Sequence, residues 1–227
     1  NGTVYIYVRY CYPSGETTST QPLLLVITQD NLITLSRTSA LPIEQILKTG
    51  LAVTTQKVKL VLEILEELNK GYRDHLNNVT KNILSSRNKL QHKSVNNEDV
   101  LSFIDMEEDL NEFLAALQPY DLVLQALVHG KYIKMHERDE DLIEDLQLST
   151  RELIELTKSR LKTIQNMREA YTTIATNNLN LIFKRLTSIA IFMSIPTVVG
   201  GFYGMNVALP FDNHPLAFWI VAGITLS

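Results

Sequence analysis

Taken backwards from Gly201 in alternating steps of four and three, the chain presents Thr197, Ser194, Ala190, Thr187, Phe183, Asn180, Thr176, Thr173 and Glu169. Most of these carry a hydroxyl, an amide or a carboxylate, groups that accept hydrogen bonds or hold a cation weakly. A mean step near 3.5 places them on one face of a supercoiled helix. The upper members lie within Leu186–Tyr203, a run with no charged residue. Facing lipid, such groups cost free energy; facing other helices or water, they are cheap. Two chemistries fit: tight packing of helices through small side chains, or the wall of a narrow polar pore built from several copies of one helix.

Acidic side chains form the second constellation. One cluster is Glu98, Asp99, Asp105, Glu107, Glu108, Asp109 and Glu112; the other is Glu137, Asp139, Glu140, Asp141, Glu144 and Asp145. Acids favour the first turn of a helix, so a solvated face explains them. The sharper alternative is a set of weak carboxylate sites for a hard divalent cation. Other chemistries are poorly served. The single Cys11 allows neither an internal disulfide nor a cysteine metal cage. His75, His92, His129, His136 and His214 show no ligand spacing and read as surface residues. There is no nucleophile–base pattern, Gly-rich phosphate loop or catalytic carboxylate pair, so no enzyme is expected. A net charge of −4 gives no general affinity for nucleic acid.

The elements that must position these groups follow from periodicity. Eighteen uncharged residues from Leu186 reach the lower limit for a membrane-spanning helix. Lys184 and Arg185 stand at its entrance as a cytoplasmic flank should, which argues against the buried helix of a soluble protein. A second apolar run starts at Leu216, and the two read as a membrane hairpin with a shortened second helix. Before it, Thr3–Tyr10, Leu23–Thr28 and Leu32–Leu35 read as strands, with a polar turn over Pro13–Thr20. From Leu41 onward the pattern is helical. Val58, Val61, Leu62, Leu65, Leu68, Tyr72, Leu76, Val79 and Ile83 recur at helical spacing, and Gly71 does not end the run. The next helix starts near Glu98, with Leu101, Ile104, Leu110, Phe113, Leu114 and Leu117 on its apolar side; Pro119 is expected to kink or restart it. A third starts near His136 and meets no breaker before Pro196. Its roughly sixty residues would make a rod on the order of 90 Å long.

The fold class expected is therefore α+β. Residues 1–40 would be the end of a cytoplasmic α/β domain and residues 41–182 a helical stalk region of long antiparallel helices. Residues 183–227 would be the membrane hairpin: a first transmembrane helix over 183–203 that continues the stalk helix, a loop over 204–215, and a truncated second helix over 216–227. The chain starts inside a strand pattern and stops inside a helical one, and reads as a fragment.

Tyr203-Gly204-Met205-Asn206, after the lead-in Asn177-Asn-Leu-Asn180, Lys184, Leu186-Thr187 and the Pro196–Gly201 region, resembles the signature of the CorA-type divalent cation channels. That resemblance implies a homo-oligomer, a pentamer, in a cell membrane, with most of its mass cytoplasmic. Gly204, Met205 and Asn206 would form the pore entrance. An amide oxygen on Asn206 can bind the water shell of magnesium without stripping it, and magnesium dehydrates reluctantly. Gly204 would let the backbone turn where a Cβ does not fit. Asn180 would add a lower ring, and Phe183 with Leu186 an apolar constriction that closes by dewetting. The resemblance also marks Asp145 as a regulatory acid, with Asp141 and Glu144 beside it. The partner acid is expected from a neighbouring subunit, where the hairpin offers only Glu16.

The expected activity is passage of magnesium, gated by cytoplasmic divalent cation, with no cofactor beyond the transported and regulatory ion. Co2+, Ni2+ or Zn2+ are alternative cargo: Val207–Pro215 contains Asp212 as its only acid and departs from the acidic loop of the magnesium channels. The rival from another class is a membrane-anchored coiled-coil scaffold or sensor that conducts nothing. It differs in making the polar stripe a packing seam and Asn206 dispensable.

Overall fold

β1 (Val4–Ser14) and β2 (Thr17–Ile27) form an antiparallel hairpin in register from Val4 opposite Ile27 to Ser14 opposite Thr17. β3 (Leu32–Ser36) pairs with the other edge of β2, giving the order β1-β2-β3. This computed structural model describes residues 2–14, 17–49, 56–91, 97–129, 132–133, 137–206 and 215–226. The alternation of β1 sends Ile6, Val8 and Tyr10 inward, against Leu25 and Leu23 of β2, and leaves Tyr5 and Tyr7 exposed. Both strands run on through most of the stretch expected as a polar turn, with Cys11–Ser14 pairing Thr17–Thr20. The two prolines of the hairpin obey the ladder's rule. Pro13 lies on an edge strand, and Pro22 lies before β3 begins to pair with β2 at Leu23.

After α1 (Leu41–Thr49), three long helices follow: α2 (Lys57–Gln91), α3 (Asn97–His129) and α4 (Glu137–Tyr203). The chain forms two compact units, Asn1–Glu169 and Ala170–Ser227. In the first, α2 and α3 are antiparallel. The Tyr120 hydroxyl donates to the Leu65 carbonyl at 2.9 Å, and further along α2 Tyr72 meets Phe113 edge-to-face at 5.6 Å. α3 and α4 are antiparallel too: Arg151 pairs with Asp121 at 3.2 Å and Arg168 with Glu107 at 2.9 Å. The sheet is tied to these helices by Tyr72, whose hydroxyl donates to the Arg9 carbonyl at 3.0 Å. Glu112 adds a second tie, accepting from the Thr20 amide at 2.6 Å and its hydroxyl at 2.9 Å.

Two expectations for α3 change. Its inward line is Phe103, Met106, Leu110, Phe113, Leu117 and Tyr120, while Leu101 and Ile104 are exposed. Phe103 takes the inward place expected of Leu101 and Ile104, and its ring buries more apolar area than either would. The helix also passes Pro119 without restarting, which removes one of the two outcomes expected of that proline. Leu117 and Tyr120, both fully buried, hold it on either side of a proline that is itself exposed. His75 is half-buried against the Phe113 ring, with centroids 6.2 Å apart, and is not the surface residue its spacing suggested.

The second unit holds the rest of α4 and α5 (Ala217–Leu226). Its part of α4 includes Pro196 without a break. Among the described residues one helix is long and apolar enough to cross a membrane, and its apolar window is 0% buried.

Candidate pore-lining stripe and acidic cluster

Thr173, Thr176, Asn180, Phe183, Leu186, Thr187, Ser194 and Thr197 are all exposed on α4, as is Glu169 at the end of the first unit. In one chain the opposite side, with Ile189 and Phe192, is equally exposed. The hydroxyls are not idle. Thr176 donates to the Thr172 carbonyl at 2.8 Å, Ser194 to Ile191 at 2.7 Å and Thr197 to Met193 at 3.0 Å. Their protons are spent on the backbone, so each oxygen offers only lone pairs outward. Ser188, off the stripe, does the same with the Lys184 carbonyl at 2.9 Å. Back-bonding therefore makes a hydroxyl tolerable in an apolar helix anywhere and does not choose a face.

α4 ends where the signature begins. The Gly204 amide still donates to the Gly200 carbonyl at 3.0 Å, and the Met205 amide to Phe202 at 3.1 Å. A Cβ added at Gly204 would lie 3.3 Å from that Gly200 oxygen, tighter than ordinary contact. Glycine is thus favoured by the helix's own last turn, a reason separate from the close approach to an axis that the sequence suggested. Met205 and Asn206 follow as exposed bend residues. Residues 207–214, with Asp212, lie outside the described residues, as does Glu16.

Asp141, Glu144 and Asp145 are exposed on successive turns of α4. Among the described residues no group of three or more His, Cys, Asp or Glu is placed to hold a metal ion. Asp145 lines a cavity of about 560 Å³ between α2 and α4, together with Lys59, Lys70, Arg73, Glu63 and Glu66. Three cations balance three carboxylates there, so these six side chains carry no net formal charge. Two acids of the other cluster have structural partners: Glu112 holds the hairpin and Glu107 holds Arg168. Those roles were invisible in the sequence because each partner is distant along the chain. Burial, with Glu112 and Asp109 nearby, pushes the Cys11 thiol well above its ordinary range, so it is a poor nucleophile.

Compared with known proteins, residues 1–227 match the model of a family described as CorA-like Mg2+ transporter protein. The chain belongs to that family. A curated relative, the cobalt/magnesium transport protein CorA of Methanocaldococcus jannaschii, is 26% identical over 183 residues. That match covers 76% of this CorA-family chain and 57% of the relative, so the chain spans little more than half of the relative's length. Among solved structures, the complete CorA magnesium transporter of the same organism superimposes with a TM-score of 0.87 at 23% identity, over 100% of this chain and 73% of that one. The full-length CmaX protein gives 0.79 at 14% identity, covering 98% and 72%. The ZntB cytoplasmic domain of Vibrio parahaemolyticus gives 0.64 at 12%, covering 79% and 71%. These likenesses establish the fold, a small antiparallel sheet followed by long helices and one very long helix with an apolar end.

Proposed function

We propose that this CorA-family chain is a subunit of a homo-oligomeric membrane channel for divalent cations, magnesium first among them, with the bulk of the subunit in the cytoplasm. The observation that carries the reading is where the signature sits. Gly204-Met205-Asn206 lies directly on the end of an uncharged helical run of lipid-spanning length, in a chain that matches the family over its whole length. One helix cannot enclose a pore, so several copies of α4 must; five is the number the family resemblance suggests. Asn206 would ring the entrance and hold the cation's water shell through neutral amide oxygens. Thr197, Ser194, Thr187, Asn180, Thr176 and Thr173 would continue an acceptor-lined wall, and Glu169 would add charge at the cytoplasmic end. Acceptors suit a hydrated cation, whose waters point hydrogens outward. Phe183 and Leu186 would form the closure. The regulatory part rests on Asp145, Glu144 and Asp141. Copies of these acids drawn together repel by about 1 kcal/mol per pair at 4 Å in water. A bound divalent ion cancels that repulsion and favours the closed assembly; its loss lets the helices part. No catalysis and no cofactor enter this scheme.

The test is ion flux into liposomes carrying the full chain. Asn206→Ala is expected to keep the oligomer and lose divalent flux or its regulation. Wild-type flux from the folded, oligomeric variant would remove Asn206 from the entrance. Running magnesium, cobalt, nickel and zinc in parallel separates the cargo readings, and no flux with any of them favours the scaffold.

A further inference from the structure

Two aromatic pairs flank the signature turn. Phe202 and Tyr203 end α4 at 57% and 38% exposure; Phe218 and Trp219 open α5 at 73% and 71%. The second pair is locked edge-to-face with ring centroids 5.4 Å apart, so it presents one broad amphipathic surface. Phe202, Phe218 and Trp219 are each more than half exposed. We infer that these four rings form a collar seated in the headgroup–acyl boundary of the extracytoplasmic leaflet, and that the collar fixes the depth of Gly204-Met205-Asn206. This rests on the membrane-spanning reading proposed above.

Length and topology carry it. From Lys184–Arg185, eighteen uncharged residues rise about 27 Å, close to a hydrocarbon core of about 30 Å, so α4 reaches the far boundary at Phe202 and Tyr203. A hairpin re-enters at the boundary where it left. The second apolar run, which starts at Leu216, carries Phe218 and Trp219 in its first turn, so they must lie near the level of the first pair. The indole N–H and the phenol O–H suit that level, with an apolar body in the acyl region and a polar tip in the headgroups. The signature turn is then held just outside the hydrocarbon, where Asn206 meets hydrated ions. The four rings are positioning residues and touch no ion.

Trp219 is the chain's single tryptophan, so its emission reads the collar alone. In liposomes containing the full chain, lipids brominated near the headgroup are expected to quench Trp219 several-fold more than lipids brominated near the chain ends. Strongest quenching by the deep bromines would overturn the collar. Free quenching by aqueous iodide would do the same. If no lipid quenches and alkaline carbonate extracts the chain, it is the membrane-spanning reading that fails instead. The depth-setting role has its own readout. With Cys11→Ala and Met205→Cys, a membrane-impermeant thiol reagent is expected to label the turn. The triple change Phe202→Leu, Tyr203→Leu and Phe218→Leu keeps the segments apolar and is expected to slow labelling several-fold as the turn sinks. Tyr203→Trp alone is expected to keep the rate. Unchanged labelling in the leucine variant, alongside shallow quenching, would overturn the depth-setting role.

Discussion

One helix lives in two environments, and its two parts solve them differently. In the first unit, α4 buries Ile143, Leu146, Thr150, Leu153, Ile154, Thr157, Ile164 and Met167 along one line. In the second, residues 176–198 are exposed all round. Even the hydroxyls compare. Thr150 and Thr157 donate to Leu146 and Leu153 at 2.8 and 2.7 Å, in the same manner as Thr197. The buried Thr150 also bonds Asn69 of α2 at 2.9 Å, which the exposed ones cannot match within a chain. The first part is amphipathic and finds its apolar cover in α2 and α3. The second carries the uncharged run Leu186–Tyr203 beside its polar stripe and has no such cover along residues 176–198.

The largest expected effect tests that contrast directly. Ile164→Ala, at a site with 0% exposure, should cost about 2–5 kcal/mol of stability. Ile189→Ala, 58% exposed, should change it by no more than about 0.5 kcal/mol. Thermal unfolding of the full chain in mild detergent measures both. Equal losses would mean that residues near 189 are packed within the subunit, and the comparison would collapse.

The exposed part can then be divided by face. In a Cys11→Ala background, Thr187→Cys and Ser194→Cys should react with a water-soluble thiol reagent, and Phe192→Cys should react at least tenfold more slowly in liposomes. A fast Phe192→Cys would put the water on the other side of the helix and make the hydroxyl stripe a packing seam.

A smaller effect is expected where the covered part of α4 turns its outer side to solvent. Asp141→Asn, Glu144→Gln and Asp145→Asn together should shift inhibition by internal magnesium several-fold upward without changing selectivity, and magnesium should protect this variant less from proteolysis. All three side chains are exposed, so stability should hold to within about 0.5 kcal/mol. Unchanged inhibition and protection would return them to a solvated helix face.

What the sequence made legible divides along the same line. Period and charge exposed the long helix and its uncharged end, and family resemblance marked the signature, because each is a local pattern. The hairpin strands were shortened because Pro13–Thr20 is polar, and polarity says nothing about a backbone ladder that continues to the tip. The register of α3 was misplaced at Leu101 and Ile104 because apolar residues occupy more of that helix than one face can hold, and only packing against Tyr72 and its neighbours selects among them. Glu112 and Glu107 could not be separated from their acidic neighbours by spacing, since their partners Thr20 and Arg168 lie far off in the chain. Asp145 is marked by the family resemblance alone, and its cavity of balanced charges is not visible in the sequence.

The smallest expected effect concerns His75, the histidine on α2 that the bundle half-buries. Desolvation lowers its pKa below the ordinary 6.5, while the neighbouring Asp74 acts in the opposite direction. The folded chain therefore favours neutral imidazole more than the unfolded chain does, and between the two pKa values the unfolded state binds more protons. Stability then rises with pH through that window: the contribution is complete above 6.5 and is lost as pH falls through the folded value. Because the ring is only half-buried, solvent screening should hold the effect below about 1 kcal/mol. Unfolding of the full chain followed between pH 7.5 and about 5 should show this loss, and His75→Gln should flatten that part of the profile. An identical slope in the glutamine variant would assign the pH dependence to the carboxylates of the bundle instead, and would leave His75 as a packing residue against Phe113.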